Sequence, residues 1–190
     1  MEKTASPSLA ADPALRARTL VLVGMMGAGK SSVGKRLAQA LDLPFKDADD
    51  EIERAAGLTI PDIFALRGEA EFREGERRVI ARLLDEPPHV LATGGGAFVN
   101  PETRSLVRKK KAVSIWLKAD PEVLARRVGR KDNRPLLRGK DPRQVLTDLL
   151  AQRESAYSQA DLIVESNDGP HQYTVDAILA GLKAKLEQLP

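Results

Sequence analysis

The segment Gly24-Met25-Met26-Gly27-Ala28-Gly29-Lys30-Ser31 has the spacing G-x-x-x-x-G-K-[ST] and follows the apolar run Leu20-Val21-Leu22-Val23. Small residues between a strand and a helix let backbone N–H groups turn inward around a polyphosphate, with the positive end of the helix facing the anion. Lys30 can then reach the terminal phosphates, and the Ser31 hydroxyl can ligate Mg²⁺. A second chemical cluster is Asp47 and Asp49. Carboxylates two residues apart on an extended segment point the same way, so one could support Mg²⁺ through its water shell and the other could accept from a substrate hydroxyl. The same acids could instead cap and start a helix, the reading that suits Asp50 and Glu51. Thr93-Gly94-Gly95-Gly96 offers bare backbone for close approach by a ligand, or a plain turn. The strand before it lacks a terminal acid, so Mg²⁺ would rely on Ser31, Asp47, nucleotide oxygens and water.

Residues 130–140 place five basic side chains around Pro135 and Gly139. This stretch reads as a mobile loop that could close over a nucleotide and bring an arginine to the transferring phosphoryl group, or as a solvated loop serving solubility. Chemistry of other kinds is excluded by composition. The 190-residue chain has no cysteine, which removes thiol catalysis and disulfides, and its 2 histidines have no metal-like spacing. Thirty Lys plus Arg against 27 Asp plus Glu leave a net charge of only +3, which does not argue for nucleic acid.

These residues need a frame. Apolar strand candidates at 19–23, 44–47, 90–93, 112–117 and 161–164 alternate with longer helical patterns, the rhythm of a single α/β domain with a parallel five-stranded sheet flanked by helices. Asp120-Pro121 and Asp141-Pro142 each set a capping carboxylate before a proline at the first helical position, and Thr59-Ile60-Pro61 resembles such a start. Phe72, Val79, Ile80, Leu83 and Leu84 recur at helical spacing. Residues 1–17, rich in Ala, Pro and Ser, read as a disordered tail before a domain at 18–190. No segment is long enough to span a bilayer and none has signal-peptide character, so a cytoplasmic protein without membrane or nucleic-acid partners is expected, as a monomer.

The motifs together resemble the shikimate kinase family of the P-loop NTPase fold. The resemblance rests on the phosphate loop at 24–31, Phe45-x-Asp47-x-Asp49, Gly68-Glu69-x-x-Phe72-Arg73-x-x-Glu76, Gly94-Gly95-Gly96, Arg134-Pro135-Leu136-Leu137, and Arg153 ahead of Tyr157, in the family's order. It implies transfer of the γ-phosphoryl of ATP to the 3-hydroxyl of shikimate, with Mg²⁺. By motif, Gly27, Ala28, Gly29, Lys30, Ser31 and Ser32 would cradle the ATP phosphates, Arg127 would flank the adenine, and Arg134 in the lid at about 130–140 would contact ATP. Ser31 and Asp47 would serve the metal; Asp49, Arg73, Gly94, Gly95, Gly96 and Arg153 would hold shikimate. Lys30, Asp49 and Arg134 would carry catalysis. Two positions depart from the family pattern: Ser32 stands where Thr is common, and Ser155-Ala156 stand where Pro-Leu is frequent. Taken without the family, Arg73 could be a surface helix arginine paired with Glu69 or Glu76, and Arg153 a solvated helix-end arginine. The rival readings are another small-molecule kinase, such as a gluconate kinase, and a nucleotide-dependent regulatory switch.

Overall fold

The computed structural model describes residues 12–129, 137 and 139–186. Five short strands form one sheet: β1 (Leu20–Val23), β2 (Phe45–Asp47), β3 (Val90–Ala92), β4 (Val113–Lys118) and β5 (Leu162–Glu165), in the order β2-β3-β1-β4-β5 and all parallel. The strands expected from the apolar runs therefore form within a residue of their expected ends. β1 and β3 are buried throughout and β4 nearly so, as inner strands covered on both faces must be, which is why they read as unbroken apolar runs. β5, at one edge, leaves Ile163 47% exposed.

After β1 the chain crosses through α2 (Lys30–Leu41) to the edge strand β2. After β3 it passes to the other side of β1 and forms β4. The connections leaving β1 and β3 thus diverge, which opens a crevice at the carboxyl ends of two neighbouring strands, the place where open α/β sheets bind ligands. Around it pack α3 (Ala48–Ala56), α4 (Ile60–Leu84), α5 (Pro101–Lys109), α6 (Pro121–Val128), α7 (Pro142–Tyr157) and α8 (His171–Leu186). The stripe Phe72, Val79, Ile80, Leu83 and Leu84 is buried. α4 bends at Gly68, where φ 81° and ψ 171° interrupt the helix.

Helix starts follow local chemistry. Thr59 and Asp141 accept from the backbone N–H of Asp62 and Arg143, as their positions suggested. Asp120 does not act as a side-chain cap: its carboxylate makes no capping bond, and α6 starts on Pro121 with Asp120 O accepting from Leu124 N at 3.0 Å. The expectation of a tail reaching to residue 17 also needs correction. Asp12 caps a helical turn, α1 (Pro13–Arg16), which seats Leu15 in the core at 1% exposure. The remainder of that tail, residues 1–11, lies outside the described residues, as does most of the expected lid. One apolar side chain among small and polar neighbours suffices to fix this turn, because burying a leucine contributes about 2 kcal/mol.

Replacing Leu15 with Ala should therefore lower stability by about 3 kcal/mol, read as a lower denaturant midpoint with unchanged slope. An unaltered midpoint would mean that α1 does not dock. By the same reasoning, deletion through residue 17 should destabilise the fold.

Candidate active site

The loop between β1 and α2 turns on three glycines with positive φ: Gly24 at 136°, Gly27 at 83° and Gly29 at 90°. Only glycine adopts these values without strain, and the resulting bend carries the chain from a buried strand directly into the amino end of α2. Ala28 is fully buried beneath it. Lys30 folds back over this loop, its Nζ donating to Gly24 O and Met25 O at 2.8 Å each. Ser32 follows in the first turn of α2.

Asp47 ends β2 and caps α3, accepting from Asp49 N at 3.0 Å. Its other carboxylate oxygen accepts from Ser31 Oγ at 2.6 Å. Both expected readings of Asp47 therefore meet in one residue: it caps a helix with one oxygen and faces the phosphate loop with the other. The Ser31–Asp47 oxygen pair is the donor chemistry that a hard cation prefers. Among the described residues no group of three or more His, Cys, Asp or Glu could hold a metal ion by itself.

Asp49, in the first turn of α3, faces the glycine turn. A Cβ on Gly94 would lie 3.2 Å from Asp49 Oδ1 and 2.8 Å from Glu76 Oε1, so the absence of a side chain there lets two carboxylates converge. Burial, with Asp47 as the next cause, pushes Asp49 up to about 6, against the pull of Lys30. Glu76 is 3% exposed, and burial raises its carboxyl above the usual range despite Arg73 and Arg153.

The other two glycines meet cations. A Cβ on Gly95 would come 3.0 Å from Arg153 Nη1, and one on Gly96 would come 2.5 Å from Arg73 Nη1. Both guanidinium groups therefore lie against the same bare turn. Arg73 donates to Glu76 Oε2 at 2.9 Å and pairs with Glu69 at 3.6 Å. It is the paired helix arginine that a bland reading describes, yet one partner is buried and points it at the cleft. Arg153 comes from α7 and rests 3.9 Å from Met25 Sδ in the phosphate loop.

Three further residues organise this region; in the sequence patterns Glu76 figures only as a motif position and a partner for Arg73, Tyr157 only as a neighbour of the Arg153 motif, and Ser166 not at all. Glu76 occupies the apolar face of α4, four residues after Phe72 and three before Val79; a carboxylate in that phase was a readable signal. Tyr157, at the end of α7, is fully buried, stacks at 5.6 Å on Trp116 of β4 and donates to Gly95 O. Ser166 donates to Ala28 O at 2.8 Å and accepts from Arg127. Arg127 itself also donates to Gly27 O at 3.2 Å and to Asn167 O, which fixes its plane beside the phosphate loop. Arg134 lies outside the described residues.

Comparison with known proteins agrees with this geometry. The family model for shikimate kinase matches residues 26–183. A shikimate kinase of Caulobacter vibrioides is 68% identical over 169 residues, covering 89% of this chain and 84% of the relative. One from Bradyrhizobium diazoefficiens is 57% identical over 182 residues, covering 96% and 87% respectively. Among solved structures, shikimate kinase from Acinetobacter baumannii in complex with shikimate superposes with a TM-score of 0.85 at 38% identity, covering 90% of this chain and 97% of that one. With the phosphate loop, the acidic pair and the arginine-flanked glycine turn in one crevice, the chain belongs to the shikimate kinase family.

Proposed function

We propose that the crevice between β1 and β3 is the site at which this protein phosphorylates shikimate, with Arg73 and Arg153 clamping the substrate carboxylate and Asp49 receiving its reacting hydroxyl. The enzyme transfers the γ-phosphoryl of ATP to the 3-hydroxyl of shikimate, giving shikimate 3-phosphate and ADP. The observation that carries the site assignment is the convergence on one bare turn of two guanidinium groups at Gly95 and Gly96 and a carboxylate at Gly94. Two arginines match a carboxylate by charge-assisted bonds, and a carboxylate beside exposed backbone suits vicinal hydroxyls.

Phosphoryl transfer proceeds through a loose transition state, so the protein's work is positioning and charge neutralisation. Gly27, Ala28, Gly29, Lys30, Ser31 and Ser32 cradle the phosphates, with Lys30 exchanging the carbonyls of Gly24 and Met25 for phosphate oxygens. Arg127 flanks the nucleotide base, and Arg134 is assigned to ATP by its motif. Ser31 and Asp47 would hold Mg²⁺, which neutralises charge on the phosphate oxygens when bound. Asp49 orients the attacking hydroxyl and, with its proton affinity raised to about 6, is ionised at neutral pH yet basic enough to take up the proton. The protein acts as a cytoplasmic monomer without nucleic-acid or membrane partners; among the described residues no helix is long and apolar enough to cross a membrane.

The direct test is ADP release from Mg-ATP with and without shikimate, with gluconate and quinate as controls. Release that depends on shikimate alone is expected. Release driven by gluconate would move the reading to a sibling kinase, and acceptor-independent release would favour a nucleotide switch.

Asp49→Asn should lower kcat at least about a hundredfold while ADP affinity stays within about twofold; near-normal turnover would sink the role given to Asp49. In the wild type, kcat/KM for shikimate should fall as pH drops through about 6, because protonation removes the acceptor. The same substitution should raise the melting temperature at pH 7 to 8. The folded carboxyl titrates above its unfolded value, so the fold disfavours the charge that Asn removes.

Tyr157→Phe releases Gly95 O and should raise KM for shikimate several-fold with little change for ATP, at a stability cost of about 1 kcal/mol. An unchanged shikimate KM would show that the turn holds its shape without that bond.

A further inference from the structure

Two arginines flank the bare turn, and they are aimed by different means. Arg73 is fixed by the buried carboxylate of Glu76, at 2.9 Å. Arg153 makes no ion pair among the described residues. Its Nη1, 3.0 Å from where a Cβ on Gly95 would stand, rests instead 3.9 Å from Met25 Sδ.

Met25 has two faces. Its carbonyl belongs to the phosphate loop, accepting from Ala28 N at 3.1 Å and from Lys30 Nζ at 2.8 Å. Its side chain leaves that loop, is 2% exposed and meets α7, where the Tyr157 hydroxyl lies 3.6 Å from the sulfur. The hydroxyl proton goes to Gly95 O, which leaves the acceptor capacity of the sulfur to the Arg153 N–H. Burial raises the Tyr157 phenol above its usual range, with Arg153 pulling the other way, so guanidinium, phenol and thioether form one cluster beside Gly95.

A thioether at this place has a chemical consequence. An N–H pressed against saturated carbon loses its hydration with no acceptor in return, whereas sulfur is a weak, polarisable acceptor on an unbranched, adaptable side chain. A carboxylate there would bind the guanidinium by a charge-assisted bond and compete with an incoming anion. Met25 orients the cation and leaves its charge for a ligand.

Resting on the kinase reading above, we propose that Met25 is a positioning residue for the acceptor substrate: its thioether holds the Arg153 guanidinium against Gly95 as a weak, neutral acceptor, in the orientation that receives a carboxylate. The phosphate loop thereby contributes to the acceptor site through the side chain of a residue whose carbonyl holds Lys30.

The test is a double-mutant cycle between Met25→Leu, which keeps the volume and removes the sulfur, and Arg153→Lys, which keeps the charge and removes the planar fork. Met25→Leu should raise KM for shikimate about threefold to tenfold, with ADP affinity by calorimetry within about twofold of wild type. In the Arg153→Lys background the same substitution should add nothing further. An unchanged shikimate KM in Met25→Leu would overturn the proposal. So would an equal loss of ADP affinity, which would mean that the side chain only shapes the phosphate loop, or an undiminished effect in the Arg153→Lys background. Should Met25→Leu fail to fold, Met25→Ile completes the same cycle. A normal shikimate KM in Arg153→Lys alone would remove the carboxylate clamp of the kinase reading and this proposal with it; an impaired Arg153→Lys beside a normal Met25→Leu would overturn the methionine assignment and leave the clamp standing.

Discussion

β1 and β3 pair in register, with Leu22 opposite Ala92, and the chain that leaves them diverges to opposite sides of the sheet. Thr93 tightens this pairing, donating from both its backbone N–H and its hydroxyl to Leu22 O, at 3.1 Å and 2.9 Å. Two glycine-rich turns, 24–29 and 94–96, are thereby held side by side at the end of the sheet. The Thr93 position is where a strand-ending acid would otherwise serve a metal. Here that position is spent on holding the two turns together, and the carboxylate near Ser31 comes instead from Asp47 on β2.

Every charged group in the crevice depends on that closeness. Glycines 94, 95 and 96 let Asp49, Glu76, Arg153 and Arg73 crowd onto one strip of backbone, and a methyl group at any of them would meet a charged atom at 3.2 Å or less. The resulting balance is not optimised for stability. Glu76 keeps one buried oxygen without a hydrogen bond among the described residues, and Asp49 is held with a raised proton affinity. Buried carboxylates of this kind cost free energy unless fully paired, and they persist where a ligand supplies the missing partner. On the proposed assignment, a polyol with a carboxylate would bring hydroxyl donors for Asp49 and an anion for the arginines, relieving the imbalance of both signs at once.

Much of the frame was legible because the signals were local. Inner parallel strands must be apolar on both faces, so β1, β3 and β4 announce themselves as short unbroken runs, and a loop that needs positive φ at Gly24, Gly27 and Gly29 advertises it in residue type. Asp47 and Asp49 were legible as a pair, but not for the geometry expected: only Asp47 is on the strand, Asp49 lies in the first turn of α3, and which Asp47 oxygen caps that helix and which faces Ser31 is decided by tertiary packing. Less was readable where the partner is distant. Arg127 is oriented by Gly27, Ser166 and Asn167, none of them near it in sequence, and His171 meets Gly29 only because α8 packs against α2. Leu15 was hidden among Ala, Pro and Ser, whose composition outweighs one leucine in any window. Glu76 was visible as a partner for Arg73, but its burial was not, because a helix dense in charged residues makes one more glutamate look solvated unless its phase on the apolar face is counted.

The position of Lys30 bears on how the loop discriminates among anions. Its ammonium donates to two carbonyls of its own loop at 2.8 Å, which preorganises the turn and makes release of those bonds a cost of ligand entry. Neutral carbonyl acceptors bind an ammonium less strongly than ionised phosphate oxygens do, so a polyphosphate can displace them while a weaker anion cannot. Ser31 is similarly engaged with Asp47. The loop is therefore held in shape by internal bonds that, on the proposed assignment, Mg-ATP would replace with stronger ones. On the proposed assignment, occupation by the full triphosphate would reorganise Lys30 and Ser31 together, on the side of the crevice that Asp49 faces from α3. Asp47, bonded to Ser31 and capping α3 ahead of Asp49, would on that assignment couple nucleotide entry to orientation of the acceptor hydroxyl.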